Sequence, residues 1–230
     1  MTGKDHGCVI SISLSHITIR RFHMNTNYFF LGDSITDANH LWLPETNGLG
    51  DGYVAMLANR LGADAMITNK GIDGFTVAAL LERLPHGFLN GHPDVISLLI
   101  GINDIGVALH TGSTLEELHF AENYREVLLF LSNTGARLLC SGPFIFPHPR
   151  KYQLWIPYVL ELEQVMGEIC SSLSVPFLPL HSYLTSLVKN ENYPAVTVDG
   201  IHLTTYGHKM LAEYLLPHLL SYSQSESSTI

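Results

Sequence analysis

The sequence predicts an α/β fold: a parallel sheet with helices on both faces, in one domain. Two observations carry that prediction. Short apolar runs of strand length alternate with longer amphipathic stretches, the rhythm of βαβ units. Small, polar and titratable residues also gather just after the apolar runs, at the strand ends where open α/β sheets keep their sites. A chain of 230 residues is long enough for one well-buried core.

The first strand is expected at Tyr28–Leu31, where "YFFL" runs into Gly32, Asp33, Ser34 and a helical pattern. A helix follows in "GYVAMLANRLG", Gly52 to Gly62. Val54, Met56, Leu57 and Leu61 make its apolar face, and Gly62 stops it. The second strand is Ala65–Asn69, and the next helix spans Thr76 to Leu84, with Thr76 as N-cap and Pro85 past its end. The third strand is Val95–Ile100. A long helical pattern from Thr114 to Gly135 opens on acidic residues that suit a first turn. The fourth strand, Arg137–Ser141, leads through a Pro- and aromatic-rich stretch, Gly142–Trp155, to a helix over Pro157–Leu173. The fifth strand is Val175–Leu178. The last helix begins at Thr204, and Pro217 is expected to end or kink it.

Charged residues are 14% of the chain and hydrophobic ones 46%, which argues against disorder. Net charge is -9 with 12 Lys+Arg, an acidic balance that disfavours nucleic acid or an anionic membrane as main partner. No apolar run is long enough to span a bilayer. Cys8, Cys140 and Cys170 are odd in number and lack C-x-x-C spacing. They are read as reduced thiols of a cytoplasmic protein. "CVISISLSHITI" (Cys8 to Ile19) is broken by polar residues, and its basic pair comes after the apolar part, so it is not read as a signal peptide. Residues 1–23 are expected to be an extension that the fold does not need, 24–221 the domain, and 222–230 a frayed Ser-rich tail. A homo-oligomer stays open.

Ser34, Asp199 and His202 form a chemically complete set. Serine needs a base to take its proton. His202 can be that base, since histidine is the side chain suited to proton transfer near neutral pH, and Asp199, three residues earlier, can hold its other ring nitrogen. Donors for a tetrahedral oxyanion are expected from the Ser34 N–H, the Gly71 N–H and the Asn103 side-chain amide, each after a successive strand. Plainer readings exist: Ser34 as a helix N-terminal residue, Gly71 as a turn glycine, Asn103-Asp104 as an Asx turn. Asp33 and Asp37 are read as local capping groups.

Four blocks in order resemble those of the SGNH hydrolases, the GDSL-type esterases and lipases: "GDSITD", "NKGIDG", "GINDIG" and "DGIHLTTYGH". The resemblance runs from Tyr28 to the last helix. It implies a flavodoxin-like three-layer α/β/α sandwich and no metal or cofactor. Ser34 would be the nucleophile, Asp199 and His202 its triad partners, and Ser34, Gly71 and Asn103 the oxyanion hole. "GDSITDA" most resembles compact bacterial members that remove acetyl groups from sugars and small esters. The substrate would then be a short-chain or acetyl ester, with an acetylated carbohydrate as one case. This chain departs from that subgroup at Ile105-Gly106, where an aromatic is frequent, and at Pro179, where an acid is frequent. Those departures bear on the acyl acceptor and leave the triad intact. A thioesterase or lysophospholipase with a longer acyl preference, and a non-catalytic carbohydrate-binding relative, are the alternatives.

The other histidines lack metal-ligand spacing, and His208 is assigned to the last helix rather than the chemistry. Trp42, Phe146 and Trp155 are candidate pocket aromatics that could equally be core. Gly142–Trp155 could wall the pocket or only connect.

Overall fold

Along the first strand, successive side chains enter two different cores. Phe29 and Leu31 join one apolar cluster, and Tyr28 and Phe30 join the other. This period of two puts alternate residues on opposite faces of a sheet covered on both sides. The computed structural model describes residues 25–190 and 192–224. The expected extension 1–23, Cys8 and tail residues 225–230 lie outside the described residues.

In chain order the elements are β1 (Thr26–Gly32), α1 (Ser34–Asp37), α2 (Tyr53–Leu61), β2 (Ala65–Gly71), α3 (Val77–Arg83), β3 (Val95–Leu99), α4 (Ile102–Thr111), α5 (Phe120–Ser132), β4 (Arg137–Ser141), α6 (Ile156–Ser172), β5 (Phe177–Leu178), α7 (Leu180–Leu187) and α8 (Thr205–Gln224). All five strands pair in parallel, in the order β2-β1-β3-β4-β5. That is the flavodoxin-like order, whose switch point lies between β1 and β3. One outer layer packs α3, α5 and α6 on the face of Leu31 and Leu98; the other packs α2, α7 and α8 on the face of Phe30 and Leu139. The three-layer sandwich is thus as expected. Each buried Leu or Phe contributes about 1.5–3 kcal/mol of transfer free energy.

Four elements differ from expectation. The helix expected from Thr114 starts at Phe120. Thr114 and Glu117 cap one another across a single turn (2.8 and 3.1 Å), and His119 then adopts φ +53, a left-handed residue that breaks the helix. No helix was expected at α4, where an Asx turn at Asn103-Asp104 was the plainer reading; Ile102, Ile105 and Ala108 are buried there at helical spacing. Helix α7 buries Leu180 and Leu184 in the same way. Pro217 does not end α8, which runs on to Gln224. Among the described residues, no helix is long and apolar enough to cross a membrane.

Candidate active site

β1 ends at Gly32 because a side chain there would collide with the Leu99 carbonyl oxygen and the Thr36 side chain. Glycine lets β1, β3 and α1 meet that closely. Asp33 follows, buried, and accepts a 3.0 Å hydrogen bond from the Ile35 N–H. This cap starts α1, with Ser34 as its first residue. Burial pushes the Asp33 carboxyl up to about 7, against the pull of the Ile35 N–H and of His202. Asp37 accepts from the His40 and Asp73 N–H groups (3.2 and 3.1 Å). Both aspartates are therefore local hydrogen-bonding groups, as the sequence suggested.

The structure brings Ser34, His202 and Asp199 into one line. His202 Nε2 lies 3.0 Å from Ser34 Oγ, and His202 Nδ1 lies 2.7 Å from Asp199 Oδ2. Asp199 Oδ1 also accepts from the Ile201 and His202 N–H groups at 2.9 and 2.8 Å. Burial by itself would raise the Asp199 carboxyl. The hydrogen bonds from the His202 ring and the two N–H groups outweigh it and hold the group below its ordinary range. An anionic acceptor at Nδ1 fixes the tautomer that leaves Nε2 free to take a proton from Ser34.

The loop carrying the pair is braced. Thr197 Oγ1 accepts from the Gly200 N–H (2.8 Å) and donates to the His202 carbonyl (2.7 Å), while the Phe146 N–H donates to the Gly200 carbonyl (2.8 Å). The stretch Gly142–Trp155 thus supports the aspartate loop from below. Phe146 is fully buried, and Trp155 packs edge-on against Tyr152 at 5.0 Å.

Two of the three expected oxyanion donors are free. The Ser34 N–H has no acceptor among the described residues. Asn103 spends one amide hydrogen on the Phe75 carbonyl (3.0 Å), which aims the amide and leaves its second hydrogen. Gly71 is a correction. It is the last residue of β2, paired with Gly32, and its N–H donates to Asn69 Oδ1 at 2.9 Å. A side chain at Gly71 would strike the Thr36–Asp37 backbone, so this glycine packs β2 against α1. Three residues on, the Gly74 N–H has no acceptor among the described residues. It stands beside Phe75, whose carbonyl holds Asn103. The expectation went astray because the strand runs two residues past Asn69.

The sequence model of the GDSL-like Lipase/Acylhydrolase family matches residues 30–210, a span that holds every residue just named. The chain belongs to this family. It is a carboxylic ester hydrolase, with the SGNH-type fold that its four blocks imply. An acetylxylan esterase of Geobacillus stearothermophilus is 28% identical over 199 residues, 81% of this chain and 90% of that protein. The crystal structure of a catalytic mutant of an acetylxylan esterase from the same organism superposes with a TM-score of 0.72 at 24% identity, covering 84% of this chain and 94% of that one. An alpha/beta hydrolase enzyme from the metagenome of Lake Arreo gives 0.72 at 20% identity, covering 86% and 94%. These two likenesses establish the fold.

In this acylhydrolase Ser34 lines one cavity, and its neighbours Asp33 and Ile35 line a second, smaller one. One is an open cleft of about 360 Å³ whose lining includes Ser34, His202, Asn39, Trp42, Asp51 and His208. The other is about 10 Å³ and is lined by Asp33, Ile35, Leu99, Ile102, Phe144 and Ile201 among others. Of the three candidate aromatics, only Trp42 lines the cleft. His208 does belong to α8, but it also lines the cleft, which the sequence did not suggest. Among the described residues no group of three or more His, Cys, Asp or Glu side chains converges as metal ligands would. Cys140 and Cys170 are buried and free.

Proposed function

We propose that this enzyme hydrolyses short-chain carboxylic esters, acetyl esters of small molecules or sugars foremost, through an acyl-enzyme on Ser34. Ser34 Oγ attacks the ester carbonyl while His202 Nε2 takes its proton. Asp199, held anionic, stabilises the imidazolium. The oxyanion is met by the Ser34 N–H, the Gly74 N–H and the free amide hydrogen of Asn103. His202 then protonates the leaving alcohol, and the alcohol departs. Water, deprotonated by the same imidazole, attacks the acyl-Ser34 carbonyl, and collapse of that second intermediate releases the acid and restores Ser34.

The observation that carries this reading is the unbroken line Ser34 Oγ–His202–Asp199, with links of 3.0 and 2.7 Å. The short acyl preference draws on the small cavity. Ile35, Ile102 and Ile201 are the neighbours in sequence of Ser34, Asn103 and His202, and they enclose about 10 Å³, the room of one water or one methyl. The acetylxylan esterase relative supports an acetylated carbohydrate as the kind of substrate.

The test is initial rate on p-nitrophenyl acetate, butyrate, octanoate and palmitate, for the native enzyme and Ser34→Ala. The rate should fall with chain length, and Ser34→Ala should lower it by about a thousandfold or more. Turnover retained by the variant would remove Ser34 as nucleophile. A rate peaking at octanoate would move the enzyme to the thioesterase or lysophospholipase class. Native protein that turns over nothing and is not labelled by a fluorophosphonate would be a binding relative.

A further inference from the structure

Beside Ser34 and His202, the open cleft has chemistry that hydrolysis itself does not use. Trp42 is 78% exposed, an apolar face left in water, as is common for ligand platforms. Its position is set by the turn that Asn39 begins, since the Trp42 and Leu43 N–H groups both donate to the Asn39 carbonyl (2.9 and 3.1 Å). The Asn39 amide in turn leans on the Asp51 carboxylate at 3.3 and 3.4 Å. Those long contacts are the only ones the Asp51 carboxylate makes among the described residues, so most of its lone pairs face the cleft unused.

His208 lines the same cleft near Asp51. Its Nδ1 accepts from the Tyr53 N–H at 3.2 Å, which puts the proton of the neutral ring on Nε2. Nε2 has no acceptor among the described residues. Burial pushes this imidazole down to about 4, in spite of the nearby Asp51 carboxylate. His208 is therefore a neutral donor in the wall, close to the Asp51 carboxylate.

We propose that Trp42, Asp51, Asn39 and His208 form the acyl-acceptor subsite, and that it takes a pyranose ring with a free hydroxyl beside the esterified one. This rests on the reading of Ser34 as nucleophile and names the alcohol half of that substrate. A hydroxyl is both donor and acceptor. One ring hydroxyl donates to Asp51, and the same or the next accepts from the His208 Nε2–H. The C–H face of the ring lies on the Trp42 indole. An organic cation would suit Trp42 and Asp51, but it has nothing to offer the His208 donor. The cleft, about 360 Å³, is at the small end for small-molecule sites, which fits one ring beside the scissile bond.

The experiment compares three acetyl esters: methyl 2-O-acetyl-β-D-xylopyranoside, cyclohexyl acetate, which has the ring and no hydroxyls, and acetylcholine. The native enzyme should favour the sugar over cyclohexyl acetate by about tenfold or more in kcat/KM. Asp51→Asn should lower that ratio by about tenfold, and Trp42→Ala should slow both ring esters by about tenfold, each mainly through KM, because they remove ring contacts and not the chemistry. Trp42 is too exposed for its loss to unfold the chain, and a melting curve verifies this for both variants. Equal kcat/KM for sugar and cyclohexyl esters, a preference for acetylcholine, an Asp51→Asn that slows both ring esters alike, or a Trp42→Ala that slows neither would overturn the subsite. Failure to hydrolyse any of the three, with Ser34→Ala no different, would sink the ester reading itself. The two failures are therefore separate results.

Discussion

The open cleft at Ser34 and the small cavity beside its neighbours Asp33 and Ile35 differ in size and polarity, and Ile35 borders both. On one side Ile35, Ile102 and Ile201 close around about 10 Å³. On the other, Asn39, Asp51 and His208 border about 360 Å³ of open, polar cleft under an exposed indole. An ester has two halves, and the difference between the walls allots them. In the reading proposed above, the acyl half meets the small cavity, lined mostly by apolar side chains and by Asp33, with room for about one methyl. The alcohol half meets donors and acceptors that only a polar group repays. Discrimination should accordingly be strict and size-based on one side, and chemical on the other.

The machinery between the walls serves both, and its loss should erase the comparison altogether. Short of losing Ser34 itself, Asp199→Asn is expected to have the largest effect, a fall of about four orders of magnitude in kcat. The amide keeps the shape but removes the anion that fixes the His202 tautomer at 2.7 Å. The fall should be the same for every acyl and alcohol group tried. A loss that varied with the ester would mean that Asp199 acts on binding instead.

Asn103→Ala should come next, at about a hundredfold to a thousandfold in kcat. The amide is already aimed by the Phe75 carbonyl at 3.0 Å, so the oxyanion would lose a pre-oriented donor. This loss too should be indifferent to acyl length. An unchanged rate would take Asn103 out of the hole.

How much of this was legible in the sequence follows from how local each signal is. The strands were readable because parallel strands covered on both faces are continuous apolar runs, and β3 is buried at every position from Val95 to Leu99. Asp199 and His202 were readable because three residues of one turn hold both partners. Gly74 was passed over for Gly71 because the end of β2 depends on its pairing with β1, down to Gly32 and Gly71, and Asn69-Lys70-Gly71 carries no apolar pattern of its own. Helix α4 was masked by an Asn-Asp pair that favours turns, although Asp104 in fact accepts from the Val77 N–H (3.1 and 3.2 Å) and ties α4 to α3. Of the two walls only Trp42 was legible, as a candidate pocket aromatic. Ile35, Ile102 and Ile201 come from three distant segments, and no local periodicity records that they share a cavity.

The tight wall has one polar member, Asp33, and its titration sharpens the contrast with the anionic cleft. Its carboxyl is raised from 3.8 to about 7 by burial. Below the lower value the folded and unfolded chains both hold the proton, and neither is favoured. Between the two values the unfolded chain releases it while the folded chain keeps it, so stability falls with rising pH by about 1.4 kcal/mol per pH unit. Above the upper value both are ionised and the loss stops growing. Asn in this position still accepts from the Ile35 N–H and does not titrate. The melting temperature of Asp33→Asn minus that of the native enzyme should therefore climb between pH 4 and pH 7 and then level off. A difference that stayed flat over that range would mean Asp33 is ionised when buried, and the wall would not be apolar in charge.

Ile102→Val should have the smallest effect and bears most directly on the acyl side. It removes one methyl from the lining of the small cavity, beside the residue that positions the oxyanion. A methylene in an apolar pocket is worth about 1–3 kcal/mol in discrimination, and a partly relaxed wall returns only part of that. The kcat/KM ratio of propionate to acetate esters should rise by about three- to tenfold, while the sugar-to-cyclohexyl ratio, set on the opposite wall, stays where it was. Folding should lose only about 0.5–1.5 kcal/mol, the usual cost of Ile→Val in a core. If both ratios moved together, the walls would not be independent, and the acyl group would have to lie in the open cleft with the alcohol. If neither moved, the cavity at Ile102 would not be the acyl pocket, and the short-chain preference would need another source.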